Sequence, residues 1–214
     1  MTIEKIYKDL CNAIYDDVDF IKLLKLKENL EQAIRENACY KTTSKTRINA
    51  IKRVASKDDF RPILSGYGVY NDYKVVTDSY HLIAIKQDSM PLKKVVDNLD
   101  EEKKLGKENC IFGVYPVLDR IVKFDFDTDN NYKLYEGLDL NDMEAFYKMN
   151  KGKNGKLNPY KIGHLSCDIN YLKNVIDVLG EDSKIYIPVD SDVKPIYIKN
   201  KSEEIGLVLP IKTF

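Results

Sequence analysis

Three aspartates at alternate positions, Asp125, Asp127 and Asp129, with Glu136 after them, come nearest in this chain to a metal-binding pattern. They fill positions 1, 3, 5 and 12 of an EF-hand calcium loop, where oxygen ligands close on a hard cation. Position 6 of such a loop takes glycine for its sharp turn, and Asn130 stands there instead. The preceding IVKFDF alternates as a strand would, whereas the EF-hand loop follows a helix. The same carboxylates are the kind of group that holds Mg²⁺ for hydrolysis. A metal-dependent enzyme using Asp125, Asp127 and Asp129 is one reading of this segment. A solvated acidic turn is the other.

Other chemistry finds little footing. The two histidines, His81 and His164, stand apart from each other, and the four cysteines (Cys11, Cys39, Cys110, Cys167) form no CxxC pair, so no zinc site is expected. The cysteines read as reduced thiols of a cytoplasmic protein. There is no Gly-x-Ser-x-Gly, phosphate loop or dinucleotide fingerprint, and Ser65-Gly66-Tyr67-Gly68 is too short a glycine pattern. No catalytic residue and no cofactor are expected.

A binding role fits the charge distribution better. Basic and acidic residues balance at 34 each, so wrapping of nucleic acid by bulk charge is not expected. One stretch departs from that balance. Between residues 41 and 61, seven basic residues face only Asp58 and Asp59. Ile48, Ile51, Val54 and Ala55 give this stretch a single apolar stripe, which leaves Lys45, Arg47, Lys52, Arg53 and Lys57 on its outside. The bland reading of these bases is a solvated helix face.

The elements that position these residues follow from periodicity. Ile3, Ile6, Tyr7, Leu10 and Ile14 mark one helix, and Ile21, Leu24, Leu30, Ala33 and Ile34 a second. Residues 1–40 therefore read as an N-terminal helical extension, and residues 41–214 as an α+β domain with an insertion at about 88–159. A helix at about 46–56 is followed by strands in PILSGYGVY, KVVT and YHLIAI, with a turn at Asn71-Asp72. MPLKKVVDNL predicts a short helix, IVKFDF a strand, and DLNDMEAFYKMN a helix capped by Asp139 or Asn141. Five lysines and no acid between Lys148 and Lys161 predict a loop. YKIGHLSCDI predicts a strand, NYLKNVIDVL a helix stopped by Gly180, and SKIYIPVD, KPIYIKN and IGLVLPIK three more strands. The order helix–strand–strand–strand thus occurs twice, which suggests two pseudo-repeated units with both helices on one face of an antiparallel sheet. No run is long and apolar enough to cross a membrane, and charges interrupt the start of the chain where a signal peptide would be apolar.

Three separated segments carry a resemblance. Thr77, Asp78, Ser79 and Leu82, after the strand that begins Arg61-Pro62-Ile63-Leu64, match an Ala-Thr-Asp-Gly/Ser-His-Arg-Leu motif, with Tyr80 and His81 in its His and Arg positions. VYPVLDRIV is similar to a Phe-Pro-Asp-Tyr-x-x-Val linker. CDINYLKN and the ending Leu207-Val208-Leu209-Pro210-Ile211-Lys212 are similar to a Phe-Asn-x-x-Tyr-Leu helix and a closing Val-Met-Pro-Met-Arg. Together these segments cover about half the chain. They resemble the bacterial DNA sliding clamp, the beta subunit of the replicative polymerase.

The resemblance implies a shortened clamp-like protein, of the kind a phage or mobile element carries, with the processivity fold. It implies a groove for clamp-binding-motif peptides of replication or repair proteins. By position, the groove residues are Thr77, Ser79, Tyr80, His81 and Leu82, then Pro116 and Ile121, then Leu207, Leu209, Pro210 and Ile211. It further implies contact with double-stranded DNA, with Lys45, Arg47, Lys52, Arg53 and Lys57 facing the phosphates, and a role as a polymerase processivity factor. The alternative within the same fold is an interaction module with no DNA contact. A clamp ring needs six such domains, and this chain has room for about one.

Overall fold

A computed structural model describes residues 45–86, 90–97, 110–118, 121–150 and 157–212. The chain separates into Met1–Ser44 and Lys45–Phe214, and all described residues belong to the second unit. The expected N-terminal extension therefore lies outside the described residues.

The sequence KTRINAIKRV forms helix α1 (Lys45–Val54), with Arg47, Ala50, Ile51 and Val54 buried along one face. After a 3-10 turn (Pro62–Ser65) come β1 (Gly68–Tyr70), β2 (Tyr73–Thr77) and β3 (His81–Ile85). The β1–β2 hairpin turns at Asn71-Asp72, as predicted, with Tyr70 opposite Tyr73. Short strands β4 (Val95–Asp97) and β5 (Cys110–Phe112) pair in parallel. Strand β6 (Tyr132–Tyr135) and helix α2 (Leu140–Asn150) follow. The Asp139 carboxylate accepts from the Asn141 and Asp142 amides and caps that helix. Then come β7 (Pro159–Ile162), β8 (Leu165–Asp168), α3 (Ile169–Leu179), β9 (Lys184–Pro188), β10 (Ile196–Lys199) and β11 (Ile205–Val208). Asp168 caps the start of α3, and Gly180, at φ 97°, ends it by donating to the Ile176 carbonyl.

Seven strands form one antiparallel sheet in the order β1-β2-β3-β11-β10-β9-β6. The two units α1-β1-β2-β3 and α3-β9-β10-β11 meet at β3 and β11, and α1 packs on α3. This is the predicted α+β arrangement, two helices on one face of an antiparallel sheet. Period-two alternation sorts the strand side chains. Val76, Ile83, Ile185, Ile198 and Val208 face the helices together with Ile51, Leu172 and Val175. Val75, Leu82, Ala84, Tyr197 and Leu207 face the other way, under Tyr115, Leu118, Val122 and Phe126. Gly206 lets α3 approach β11 closely, since a Cβ there would stand 2.1 Å from Val175 Cγ1.

Four local expectations differ from the structure, the first being that Pro62–Ser65, expected as the start of a strand, is a 3-10 turn in which the Leu64 amide donates to the Arg61 carbonyl. Val95–Asp97 is a strand, not part of a helix, because the backbone of Tyr67 exchanges hydrogen bonds with Lys94 and Val96 and both valines are buried. IVKFDF is a series of turns, because the chain bends to place Phe126 flat on Tyr197 with ring centroids 4.4 Å apart. YKIGHLSCDI is a hairpin rather than one strand. Gly163, at φ 62°, turns the chain so that Ile162 pairs with Leu165.

Candidate functional site

The turn between β2 and β3 is built by side chains of its own residues. Thr77 Oγ1 donates to the His81 carbonyl and accepts from the Ser79 amide, while Ser79 takes φ 83°. Asp78 Oδ1 accepts from the amides of Tyr80 and His81 and meets His81 Nδ1 at 2.8 Å. Burial pulls the Asp78 carboxyl up, but these hydrogen bonds and the adjacent imidazole outweigh it and leave the group below its ordinary value. Arg61 braces the turn from outside by donating to Ser79 Oγ and Asp58.

The turn presents Tyr80, which is 53% exposed, and buries His81. Both rings meet Tyr171 in the first turn of α3. Tyr80 stacks on it with centroids 5.8 Å apart, and His81 with centroids 4.6 Å apart. Burial, aided by the charges of Asp78 and Asp168, pushes the Tyr171 phenol up to about 12 and keeps it neutral. The end of the chain closes the other side. The Leu209 amide donates to the Tyr80 carbonyl at 2.9 Å, Pro210 bridges to Cys167, and the Ile211 amide donates to the Ser166 carbonyl. Tyr80, Tyr171, Leu209, Pro210 and Ile211 therefore border one surface where β3, α3 and the chain's last residues come together.

The connector residues 115–118 and 121–122 lie on the face of the sheet opposite the helices. Tyr115 donates to the Val75 carbonyl, and Tyr197 donates to the Ile121 carbonyl, so the connector runs from β2 to β10. Between these ends, Leu82 and Leu207 pair across β3 and β11 in the same cluster as Leu118 and Val122.

The eleven residues expected to line a groove are thus divided. Thr77, His81, Leu82 and Leu207 are buried, the first two within the turn and the two leucines under the connector on the opposite face of the sheet. Ser79, Tyr80, Leu209, Pro210 and Ile211 reach its exterior on the turn and tail, and Pro116 and Ile121 reach the exterior on the connector. Tyr171 is absent from that expected set although it stands at the centre of the stack. The Tyr-Leu pair of CDINYLKN was the signal that pointed to it.

Two further expectations change. Arg47, expected on the outer face of α1, is buried and gives both bonds of a 2.9 Å pair to the Glu204 carboxylate. It faces inward because it shares the apolar stripe of the helix. Arg53 is partly engaged as well, bonded to Asn174 and Asp177 of α3, whereas Lys45, Lys52 and Lys57 are exposed. The three aspartates do not converge. Asp127 pairs with Lys199 at 2.7 Å and Asp129 with Lys123 at 3.0 Å. The Asn131 amide and then Lys123 hold the Asp129 carboxyl down at about 2. Among the described residues no group of three or more His, Cys, Asp or Glu is placed to hold a metal ion.

No known protein-family profile matches the chain. No curated protein matches it either. Among solved structures, the beta subunit from the DNA polymerase of Streptococcus pyogenes is 15% identical, with a TM-score of 0.49 over 80% of this chain and 64% of that one. The DNA polymerase sliding clamp from Bacillus subtilis is 14% identical, with a TM-score of 0.48 over 79% of this chain and 62% of that one. The chain therefore spans less than two thirds of the length of either.

Proposed function

We propose that this chain is a clamp-like, non-catalytic binding module. It captures short apolar peptides of replication or repair proteins on the surface bordered by Tyr80, Tyr171, Leu209, Pro210 and Ile211. The observation that carries this reading is the hydrogen bond from the Leu209 amide to the Tyr80 carbonyl. It joins the first and last of the segments that resemble the clamp groove, although they lie far apart in the sequence. The surface has the composition such a site needs. Aromatic and aliphatic side chains supply contact area, and a few backbone and hydroxyl groups set orientation.

Fluorescence polarisation with a labelled consensus clamp-binding peptide tests the reading. The expected result is saturable binding that is lost in the double variant Tyr80→Asp, Leu209→Asp, whose changes sit at exposed positions. Absence of binding at high micromolar protein, or binding indifferent to both charges, retires it.

A role on DNA extends the same reading. Lys45 and Lys52, on the exposed side of α1, and Lys57, just after it, offer phosphate contacts. Such contacts are sequence-independent and weaken steeply with salt. The reading without DNA contact is favoured by one observation, the internal engagement of Arg47 and Arg53. Titration of duplex DNA at two salt concentrations separates the two. Salt-sensitive binding reduced by Lys52→Glu and Lys57→Glu supports the first, and no binding at low salt supports the second. Among the described residues no helix is long and apolar enough to cross a membrane.

A further inference from the structure

Beneath the Tyr80–Tyr171 stack runs a chain of hydrogen bonds whose direction is fixed by its first member. Arg53 Nε donates to Asn174 Oδ1 at 2.7 Å. A guanidinium nitrogen has no acceptor capacity, so the Asn174 oxygen must face Arg53. Its amide nitrogen then faces His81 Nε2, at 3.5 Å. An amide NH₂ only donates, so Nε2 must accept and carries no hydrogen. The imidazole proton is left on Nδ1, which donates to Asp78 Oδ1 at 2.8 Å. Asn174 and His81 are both buried, at 8% and 1% exposure, so water does not readily substitute for either, whereas Arg53 lies at the exposed end of the chain.

Protonation of Nε2 breaks this arrangement. Its new N–H would point at the NH₂ of Asn174. Rotating the Asn174 amide restores that bond but turns the NH₂ against Arg53 Nε–H. One bond of the chain is lost either way. Asn174 and Tyr171 stand three residues apart on α3, on neighbouring positions of one helix face, and the His81 ring lies against Tyr171.

The charges around His81 can be named element by element. Asp78 contacts it from its own turn, with Arg61 beyond, tied to Ser79 and Asp58. From α1 comes Arg53, from α3 come Asp177 and Lys173, and from α2 comes Glu144, paired to Lys173. Asp168, at the start of α3, acts on Tyr171, and β11 places Val208 opposite His81. Arg53 is shared between Asn174 and Asp177, so it has a partner to keep when the Asn174 bond is lost.

We propose that Asn174 is a positioning residue of the peptide surface: it holds His81 as the neutral Nδ1–H form flat against Tyr171, and so makes peptide capture weaken when His81 is protonated. This rests on the reading of the surface given above. The ligand it concerns is the same apolar peptide, and Arg53 is the member that reports the state of the chain to α1.

Nitrogen-detected NMR of the imidazole rings in the full chain reads the tautomer directly, with His164→Gln used to assign the two histidines. The expected native signal is a proton on Nδ1 of His81 at neutral pH. Asn174→Asp keeps the acceptor for Arg53 and places a second acceptor facing Nε2, so a proton on Nε2 no longer costs the chain a bond. Peptide polarisation supplies the second readout. Native affinity is expected to fall about fivefold or more as the pH is lowered stepwise from neutrality. Asn174→Asp is expected to bind with a flat profile. A native proton on Nε2, a flat native profile, or an unaltered native profile in Asn174→Asp overturns the proposal. Absence of peptide binding at every pH would instead remove the reading of the surface, while the NMR tautomer still stands or falls on its own.

Discussion

The rings of Tyr80 and Tyr171 lie face to face, with planes only 3° from parallel and centroids 5.8 Å apart. One belongs to a turn and the other to the first turn of α3. Their contact joins the sheet to the helix layer at the place where the last residues of the chain pass. Tyr80 is half-exposed, so its ring is available to a partner, and Tyr171 supports it from behind.

Truncation of this pair should cost binding and little else. Tyr80→Ala is expected to lower affinity for a clamp-motif peptide by about tenfold or more, the loss of about 1.4 kcal/mol or more that an aromatic anchor typically carries. The thermal midpoint should stay near that of the native chain, because Tyr80 is exposed. Paired polarisation and melting measurements check both halves.

The Arg47–Glu204 pair should behave in the opposite way. Both side chains are 4% exposed, and Asn200 also donates to Glu204. Glu204→Ala strands a buried guanidinium whose Nε has no hydrogen-bond partner among the described residues. The expected loss is about 3–5 kcal/mol in urea unfolding. Arg47→Met with Glu204→Leu removes both charges together and should recover most of that loss.

How much of this was legible beforehand follows from the range of the forces involved. The Asp139 cap, the Gly180 stop and the Asn71-Asp72 turn are set within a few residues, and the sequence shows them. Arg47 reads as one more base in a basic stretch until Glu204, 157 residues away, is placed beside it. Val95 and Val96 become a strand only because Tyr67 offers its backbone. Phe126 leaves strand periodicity to reach Tyr197. In the candidate site, the motif residues of the turn and tail come together through the bond from the Leu209 amide to the Tyr80 carbonyl. Whether a residue there is exposed or buried depends on β3 pairing with β11, which composition does not reveal.

Acid should weaken the site's turn through Asp78. In the unfolded chain this carboxyl takes up a proton near its ordinary value of 3.8, whereas in the folded chain it keeps its charge to lower pH. The unfolded form therefore binds more protons in that window, and stability falls as pH drops through it. Asp78→Asn has no such charge to lose. Its stability should be lower than native at neutral pH and should fall less steeply below about pH 4. Urea unfolding at a series of pH values reads the difference in slope.

Gly206 gives a packing prediction with a clear sign. Its backbone is covered by α3, with Val175 Cγ1 and Leu179 Cδ1 at 2.1 and 3.0 Å from where a Cβ would sit. Gly206→Ala gains nothing on an already formed strand and must push the helix outward. The expected cost is about 1–3 kcal/mol. Because the displaced helix carries Tyr171, peptide affinity should fall as well, and Val175→Ala in the same chain should restore part of both.

Cys167 tests whether the chain's last residues seal the hairpin β7–β8. Its thiol is fully buried, and its backbone pairs with that of Pro210 in an isolated antiparallel bridge. Burial, then the charge of Asp168, pushes it up to about 12 from an ordinary 9.0. The folded thiol thus stays protonated where the unfolded one ionises, so stability is lost as pH rises above about 9. The thiolate is the reactive form, so the native chain should leave Cys167 unalkylated at mildly alkaline pH. Deleting the residues after Val208 removes Pro210 and the Ile211–Ser166 bond together. Alkylation of Cys167, followed by peptide mass mapping, should then rise by about tenfold or more if opening of this cover costs about 1.4 kcal/mol or more in the native chain. Equal labelling in both forms would mean that the rest of the core, and not the tail, protects the thiol, and that the tail is free to leave Tyr80.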